Sequence, residues 1–211
     1  MQVMKQSPDR NELFPVFLKA SELSFLIIGG GNVALEKLTF LLKSSPSVKV
    51  EIVAREVDEK VLNLAARYRI PIYKKPYVLA DLFGRQIVIA ATNNEAVNEQ
   101  IVRDAKQENV LVNVADCPGQ CDFYLGSIVT KGDLKMAIST NGKSPTIAKR
   151  LRQYFELILP DELGELINYL ETYRGSLNQE FSEKVKILNE LTIGLVKNTS
   201  PAPPINIKEN V

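Results

Sequence analysis

The sequence contains no histidine and no tryptophan, and only two of its 211 residues are cysteine. Without histidine, one chain cannot build a Ser–His–Asp or Cys–His catalytic set, nor a His-ligated zinc, copper or iron site. Two cysteines are too few for a disulfide scaffold or for the four ligands of a structural zinc site. We therefore expect no metal-binding residues, and any acid or base must be Asp, Glu, Lys, Tyr or Cys.

An excess of one charge and long apolar runs are missing as well. The 26 Lys and Arg residues are balanced by 25 Asp and Glu residues, which gives no support for general binding to nucleic acid. No apolar run approaches the length of a membrane span, and the amino terminus lacks the apolar core of a signal peptide. We expect a cytoplasmic protein that binds neither nucleic acid nor membranes.

Short apolar runs alternate with helical patterns between residues 24 and 115. Such alternation predicts an α/β fold, with a doubly wound, Rossmann-like parallel sheet and right-handed crossovers. The expected strands are 25–28, 48–54, 70–73, 86–91 and 110–114. After Asp116 the pattern changes to two strands, 123–130 and 134–139, followed by three helices. This second half predicts a small α+β unit with a helical carboxyl-terminal region. Such a thin unit often completes its core by pairing with another copy, so dimerisation is our hypothesis.

A dinucleotide-binding pattern follows the first expected strand as Gly29-x-Gly31-x-x-Ala34. The first glycine permits a tight turn, the second lets a pyrophosphate approach the backbone, and the small third residue allows close helix packing. The helix that follows directs its first amides and the positive end of its dipole at the phosphates. Because the pattern opens a βαβ unit, it favours nucleotide binding over a purely structural turn.

The second strand does not end in the acidic residue that usually holds the adenosine ribose. It ends at Ala54 and Arg55, and Glu51 lies in mid-strand, where we expect it to face away from the end of the sheet. Arg55 fits the 2′-phosphate of NADP, but it is equally typical of a solvated surface arginine. The motif therefore leaves NAD and NADP both open.

Polar residues follow two further strands, at the edge where doubly wound folds bind ligands. Thr92 and Asn93 can hydrogen-bond a cofactor, or they can belong to the N-cap of the next helix. Asp116 follows the last parallel strand, and without histidine it is our leading proton acceptor. The alternative for Asp116 is that it caps the turn before Pro118.

A second candidate region surrounds the start of the first carboxyl-terminal helix. Ser144 is expected to be its N-cap, with Pro145 in the first helical position. The turn Asn141-Gly142-Lys143 precedes this helix, and Lys149 and Arg150 follow in it. A helix N-terminus beside several cations is suited to carboxylates, although capping with a solvated basic face explains the same pattern. Cys117 and Cys121 are interpreted as half-buried thiols rather than a transient metal site.

Five segments, taken in order, resemble the precorrin-2 dehydrogenase/sirohydrochlorin ferrochelatase family of siroheme biosynthesis. The resemblance extends from residue 13 to residue 175. Its segments are 13–18 (LFPVFL), 27–34 (IIGGGNVA), 90–94 (AATNN), 113–116 (NVAD) and 138–145 (ISTNGKSP).

The resemblance implies NAD-dependent oxidation of precorrin-2, a tetrapyrrole, to sirohydrochlorin. In some members Fe²⁺ insertion follows, so Fe²⁺ is a substrate if this chain has that activity. The essential aspartate of the family falls on Asp116, and a serine of its substrate region, phosphorylated in some members, falls on Ser144. The NAD contacts fall on Asn32, Val33, Ala54 and Arg55. The substrate region comprises Asn141, Gly142, Lys143, Ser144 and Lys149.

The resemblance also implies a homodimer with interlocked second domains. We divide the chain into an NAD-binding Rossmann domain (1–115), a dimerisation and substrate hairpin region (116–145), a helical carboxyl-terminal domain (146–198) and a flexible tail (199–211). Two other functions remain as alternatives. One is a non-catalytic NAD-sensing regulatory module, and the other is an NADP-dependent reductase of another substrate.

Overall fold

A five-stranded parallel sheet forms from the first half of the chain, which confirms the predicted fold class. The computed structural model describes Asn11 and residues 13–193, so the expected tail at 199–211 lies outside the described residues. The strand order is β3-β2-β1-β4-β5, which is the doubly wound arrangement. The strands are β1 (Ser24–Ile28), β2 (Lys49–Ala54), β3 (Ile72–Lys74), β4 (Ile87–Ala90) and β5 (Leu111–Val114).

Helices cover both faces of this sheet, which explains why its strands are continuous apolar runs. Helices α1 (Asn32–Ser44) and α2 (Glu59–Tyr68) pack on the face that contains Phe25 and Ile27. Helix α3 (Glu95–Gln107) packs on the other face, because successive side chains of a strand point to opposite sides. The four helical positions expected to be apolar in α1 are all buried, and they are Ala34, Leu38, Leu41 and Leu42.

The register of the strands brings their carboxyl ends to one edge. Ile28 of β1 pairs with Val53 of β2 on one side and with Ala90 of β4 on the other. Ala90 pairs in turn with Val114 of β5. The loops that leave these strands therefore begin side by side, at the edge where this type of sheet binds ligands.

A hairpin, β6 (Ser127–Lys131) and β7 (Leu134–Ile138), follows the sheet. The sequence predicted that its first strand begins at residue 123, and this boundary is wrong. Residues before Ser127 instead pair with the free edge of β5, where the Asp122 N–H donates to the Val112 carbonyl oxygen at 2.8 Å. The Asp122 carboxylate also accepts a hydrogen bond from the Val112 N–H at 2.9 Å. These contacts cover a sheet edge that would otherwise present unpaired backbone groups.

Three helices end the described chain, as the sequence predicted. They are α4 (Pro145–Ile158), α5 (Leu163–Ser176) and α6 (Phe181–Thr192). The described chain divides into two compact units: residues up to Val129 with Met136–Glu156, and Thr130–Lys135 with residues from Leu157 onward. The four-part division made from the sequence stays a prediction. Within the described residues, no helix is long and apolar enough to cross a membrane.

Candidate nucleotide and anion site

The glycine turn after β1 is held tightly by the ends of its neighbouring strands. Gly29 has a φ of 128°, and a Cβ at this position would lie 2.3 Å from the Ala91 carbonyl oxygen. A Cβ on Gly30 would lie 2.2 Å from the Glu56 carbonyl oxygen. Both positions therefore require glycine. Sequence reasoning gave Gly30 no role, because the backbone that approaches it comes from the loop after β2.

Gly31 differs from these two glycines because the space beside it is open. The nearest atom to a Cβ built on Gly31 is the Asp58 Oδ2, at 4.0 Å. The first hydrogen bond of α1 runs from the Leu35 N–H to the Gly31 carbonyl oxygen, so the amides of residues 32–34 have no acceptor among the described residues. Asn32 is exposed and Val33 half-buried. Free amides beside a side-chain-free position fit a pyrophosphate.

The end of β2 lies beside the glycine turn but carries no carboxylate that could bind a ribose. Ala54 is buried, and Arg55 is exposed and makes no side-chain hydrogen bond or ion pair with another described residue. Glu51 lies in mid-strand as expected, where its Oε2 accepts a hydrogen bond from Arg85 Nη2 at 2.6 Å. Glu51, whose sequence spacing comes close to that of a ribose-binding acid, is therefore already paired with Arg85.

The loop after β4 is organised around the start of α3. Asn94 is the N-cap, because its Oδ1 accepts the Val97 N–H at 3.1 Å. The Thr92 hydroxyl lies 2.6 Å from Asn98 Oδ1, to which it donates, and accepts the Asn94 N–H at 3.2 Å. An N-cap at this segment is therefore confirmed, but its residue is Asn94, and Thr92 only supports it through the Asn94 N–H. Asn93 is exposed, and cofactor contacts by Thr92 and Asn93 stay a prediction.

Asp116 lies in the turn that leaves β5 and has an exposed side chain. Its φ is 60°, in the left-handed region that few residues other than glycine adopt. Asn141 has a φ of 54°, and a Cβ on its neighbour Gly142 would lie 4.0 Å from the Pro118 Cβ. The structure therefore brings together the two turns that sequence analysis singled out separately. Such backbone conformations cluster at functional sites.

Two side chains anchor the turn that carries Asp116. The Cys121 Sγ accepts the Val114 N–H at 3.2 Å, and the buried Asn113 donates through Nδ2 to the Phe123 carbonyl oxygen at 2.8 Å. Burial raises the pKa of the Cys121 thiol, so it remains protonated at neutral pH. Both cysteines are half-buried, as predicted. Among the described residues, no group of three or more His, Cys, Asp or Glu side chains is arranged to hold a metal ion.

The start of α4 has the predicted cap and one contact that sequence analysis missed. Ser144 Oγ accepts the Ile147 N–H at 3.3 Å, which confirms Ser144 as the N-cap. Thr140 Oγ1 accepts the Ser144 N–H at 3.1 Å and donates to the Ser144 carbonyl oxygen at 3.0 Å. These two hydrogen bonds between Thr140 and Ser144 fix the turn between β7 and α4. Lys143 and Lys149 are exposed around this helix start, which makes the region cationic.

A cavity of about 170 Å³ lies elsewhere on the first unit, between the middle of β2 and the segment before β4. Two ion pairs line it, Glu51 with Arg85 and Lys75 with Asp81. None of the predicted site residues lines this cavity. The loops that carry the glycine turn and Asp116 instead begin at the carboxyl ends of β1 and β5.

Comparison with family models assigns most of the described chain. Residues 16–127, more than half of the 211, match the model described as putative NAD(P)-binding. Residues 131–156 match the model described as the central part of the sirohaem biosynthesis protein. The second match contains the turn and helix start around Ser144.

Curated relatives and a solved structure agree with these models. The chain is 35% identical over 172 residues to siroheme synthase of Methylococcus capsulatus, covering 82% of this chain and 36% of the relative. It is 34% identical over 171 residues to siroheme synthase of Nitrosococcus oceani, covering 81% and 36%. The chain thus spans about a third of the length of these curated relatives.

The fold is also found in SirC, a precorrin-2 dehydrogenase of known structure. The TM-score is 0.69 at 24% identity, over 85% of this chain and 89% of that one. This likeness confirms the fold. The family models and the curated relatives identify the family. The chain belongs to the siroheme synthase family, and residues 16–127 match its putative NAD(P)-binding module.

Proposed function

We propose that the chain catalyses the NAD-dependent dehydrogenation of precorrin-2 to sirohydrochlorin. One observation carries the proposal beyond family membership: the Asp116 turn and the cationic Asn141–Ser144 turn approach each other, through Gly142 and Pro118. The Asp116 turn leaves β5, whose carboxyl end shares one edge with that of β1 and therefore with the glycine turn. An NAD-sensing module has no need for a carboxylate at this position.

The chain's own groups have separable roles in this reaction. NAD, when bound, supplies an acceptor for the hydride that the substrate loses. The amides of Asn32 and Val33 and the open side of Gly31 hold its pyrophosphate. Ala54 and Arg55 at the end of β2 would hold its adenosine, and Thr92 and Asn93 after β4 would hydrogen-bond the cofactor. The Asp116 carboxylate accepts the proton that the macrocycle loses.

The substrate is recognised chiefly by its charge. Precorrin-2 carries eight carboxylates, and the helix start with Lys143 and Lys149 offers cations and backbone amides to some of them. Ser144 is already the N-cap, so its hydroxyl oxygen accepts a helical amide and its proton remains available to a carboxylate. Asn141 and Gly142 belong to the turn that lies close to the Asp116 loop.

Fe²⁺ insertion extends the same proposal. Metal insertion requires the pyrrole nitrogens to lose protons, and the Asp116 carboxylate would accept them. The macrocycle supplies the ligands of the metal, so the protein needs no histidine.

A second copy of this chain is the proposed partner. The apolar stripe of α4 is not covered by the described residues: Ile147 is 55% exposed, Leu151 39% and Tyr154 51%. These residues are spaced by four and three positions, so they lie on one face of the helix. Exposed apolar faces of this kind mark association surfaces. Sedimentation should show a dimer, and a charge introduced as Leu151→Glu should yield monomer.

The test of the function is anaerobic incubation of the protein with precorrin-2 and either NAD⁺ or NADP⁺. We expect sirohydrochlorin to appear with NAD⁺. Binding of NAD⁺ without any conversion would favour the sensing module. Binding of NADP⁺ without conversion of precorrin-2 would favour the reductase of another substrate.

A further inference from the structure

A carboxylate without a partner faces the glycine turn from the start of α2. Asp58 occupies the N-cap position of this helix, with a φ of −62° and a ψ of 146°, but its side chain makes no capping hydrogen bond. Its Oδ2 lies 4.0 Å from the position of a Cβ on Gly31. The side chain is exposed, and no hydrogen bond or ion pair from it reaches another described residue.

The backbone holds Asp58 in this place independently of its side chain. The Asp58 N–H donates to the Gly30 carbonyl oxygen at 2.9 Å. The Asp58 carbonyl oxygen accepts the N–H groups of Val61 and Leu62 at 3.0 Å each, which starts the helix. Gly30 in turn lies against the Glu56 backbone, so the loop after β2 and the glycine turn are joined. These bonds fix the backbone of Asp58 beside Gly30, and its exposed side chain reaches to 4.0 Å from the position of a Cβ on Gly31.

Strand β2 itself supplies no free acid for the ribose. β2 ends at Ala54 and is followed by Arg55, while Glu51 is paired with Arg85 in mid-strand. An ionised carboxylate accepts hydrogen bonds from two neighbouring hydroxyls, and it repels a phosphate that replaces one of them. We propose that Asp58 binds the adenosine ribose hydroxyls of the dinucleotide and makes the chain select NAD over NADP. This inference rests on the proposed dinucleotide site.

If Asp58 is the ribose-binding acid, Arg55 also has a defined effect on the preference between NAD and NADP. Arg55 is exposed and positively charged, so alone it would favour a 2′-phosphate. The Asp58 carboxylate offsets that preference. Removing the carboxylate should leave Arg55 to attract NADP, so affinity for the two dinucleotides should move in opposite directions.

The test measures dissociation constants of NAD⁺ and NADP⁺ by calorimetry, without any turnover, for wild type, Asp58→Asn and Glu59→Gln. Glu59→Gln is the matched control, because this substitution removes the same charge one residue further along, in the first turn of α2. We expect wild type to prefer NAD⁺, and Asp58→Asn to lower the preference by about tenfold or more. Glu59→Gln should keep the wild-type ratio within about twofold, as expected of an exposed charge that makes no contact with the ligand.

An unchanged ratio in Asp58→Asn would overturn the inference, and so would an equal change in Glu59→Gln. Asp58→Ser keeps an N-cap residue and serves as the second variant if Asp58→Asn folds poorly. A wild-type protein that binds neither dinucleotide would overturn the proposed function itself. These outcomes are distinct, since only the last concerns binding by the unmodified chain.

Discussion

Alanine substitutions in the glycine turn should separate folding from ligand binding. Gly29 and Gly31 are two residues apart in one motif, yet their surroundings differ. A Cβ on Gly29 would lie 2.3 Å from the Ala91 carbonyl oxygen, whereas a Cβ on Gly31 meets no atom closer than 4.0 Å. The first substitution should therefore damage the fold and the second the site.

The magnitudes follow from this geometry. At Gly29 the alanine adopts a φ of 128°, which costs about 1–3 kcal/mol, and the clash with a strand carbonyl adds about 1–3 kcal/mol. At Gly31 the φ of −95° and ψ of −162° suit any residue. Gly31→Ala should then change the free energy of unfolding by less than about 1 kcal/mol, because the lower entropy of the unfolded chain and the poorer N-cap residue oppose each other. Its methyl group, however, enters the space where the pyrophosphate must approach.

Urea denaturation and NAD⁺ calorimetry on both variants test this difference. Gly31→Ala should unfold like wild type and raise the dissociation constant of NAD⁺ by about tenfold or more. Gly29→Ala should unfold at much lower urea. The reasoning is refuted if Gly31→Ala binds NAD⁺ as wild type does, or if both variants lose equal stability.

Two further changes probe the core and the proposed substrate region. Tyr77 donates to the buried Asp104 at 2.8 Å, and burial, followed by this hydrogen bond, raises the pKa of Tyr77 well above its usual value. Its neutral form is favoured by folding, so this contribution is present below about pH 10 and is lost as the pH rises further. Urea unfolding should show a weaker alkaline loss in Tyr77→Phe than in wild type, and an identical pH slope would contradict this. Lys143→Ala should raise the KM for precorrin-2 at low salt and flatten its salt dependence, because a charge–charge attraction is screened by ions. Steady-state kinetics at two salt concentrations measures this, with Lys60→Ala in α2 as control.

Much of the first unit was predictable because its strands are uniform apolar runs. β1 and β4 are buried on both faces, and Ala34 and Leu38 face the sheet at helical spacing, so local pattern and tertiary packing agree. The start of β6 was not predictable. Its position depends on Asp122 binding the free edge of β5, which only the strand order reveals.

The site residues that directly follow a strand or begin a helix were predictable from the sequence. The residues that a later loop brings back to the glycine turn were not. Asp116 and Ser144 stand in recognisable local patterns, namely a strand end and a Ser-Pro helix start. Gly30 and Asp58 meet only because the loop after β2 folds back onto the glycine turn. Their sequence separation hides this contact, and Asp58 alone is indistinguishable from an ordinary N-cap.

The central claim is that Asp116 accepts a proton while the bound dinucleotide accepts the hydride. The direct test is anaerobic turnover of precorrin-2 with NAD⁺ by wild type and Asp116→Asn, with NAD⁺ affinity measured on the same samples. Asparagine tolerates the left-handed φ of 60°, so the fold should be preserved. Wild type should form equal amounts of NADH and sirohydrochlorin, and the variant should lose about 100-fold or more in rate while binding NAD⁺ normally. Near-normal turnover by Asp116→Asn, or no NADH from wild type, would contradict the account.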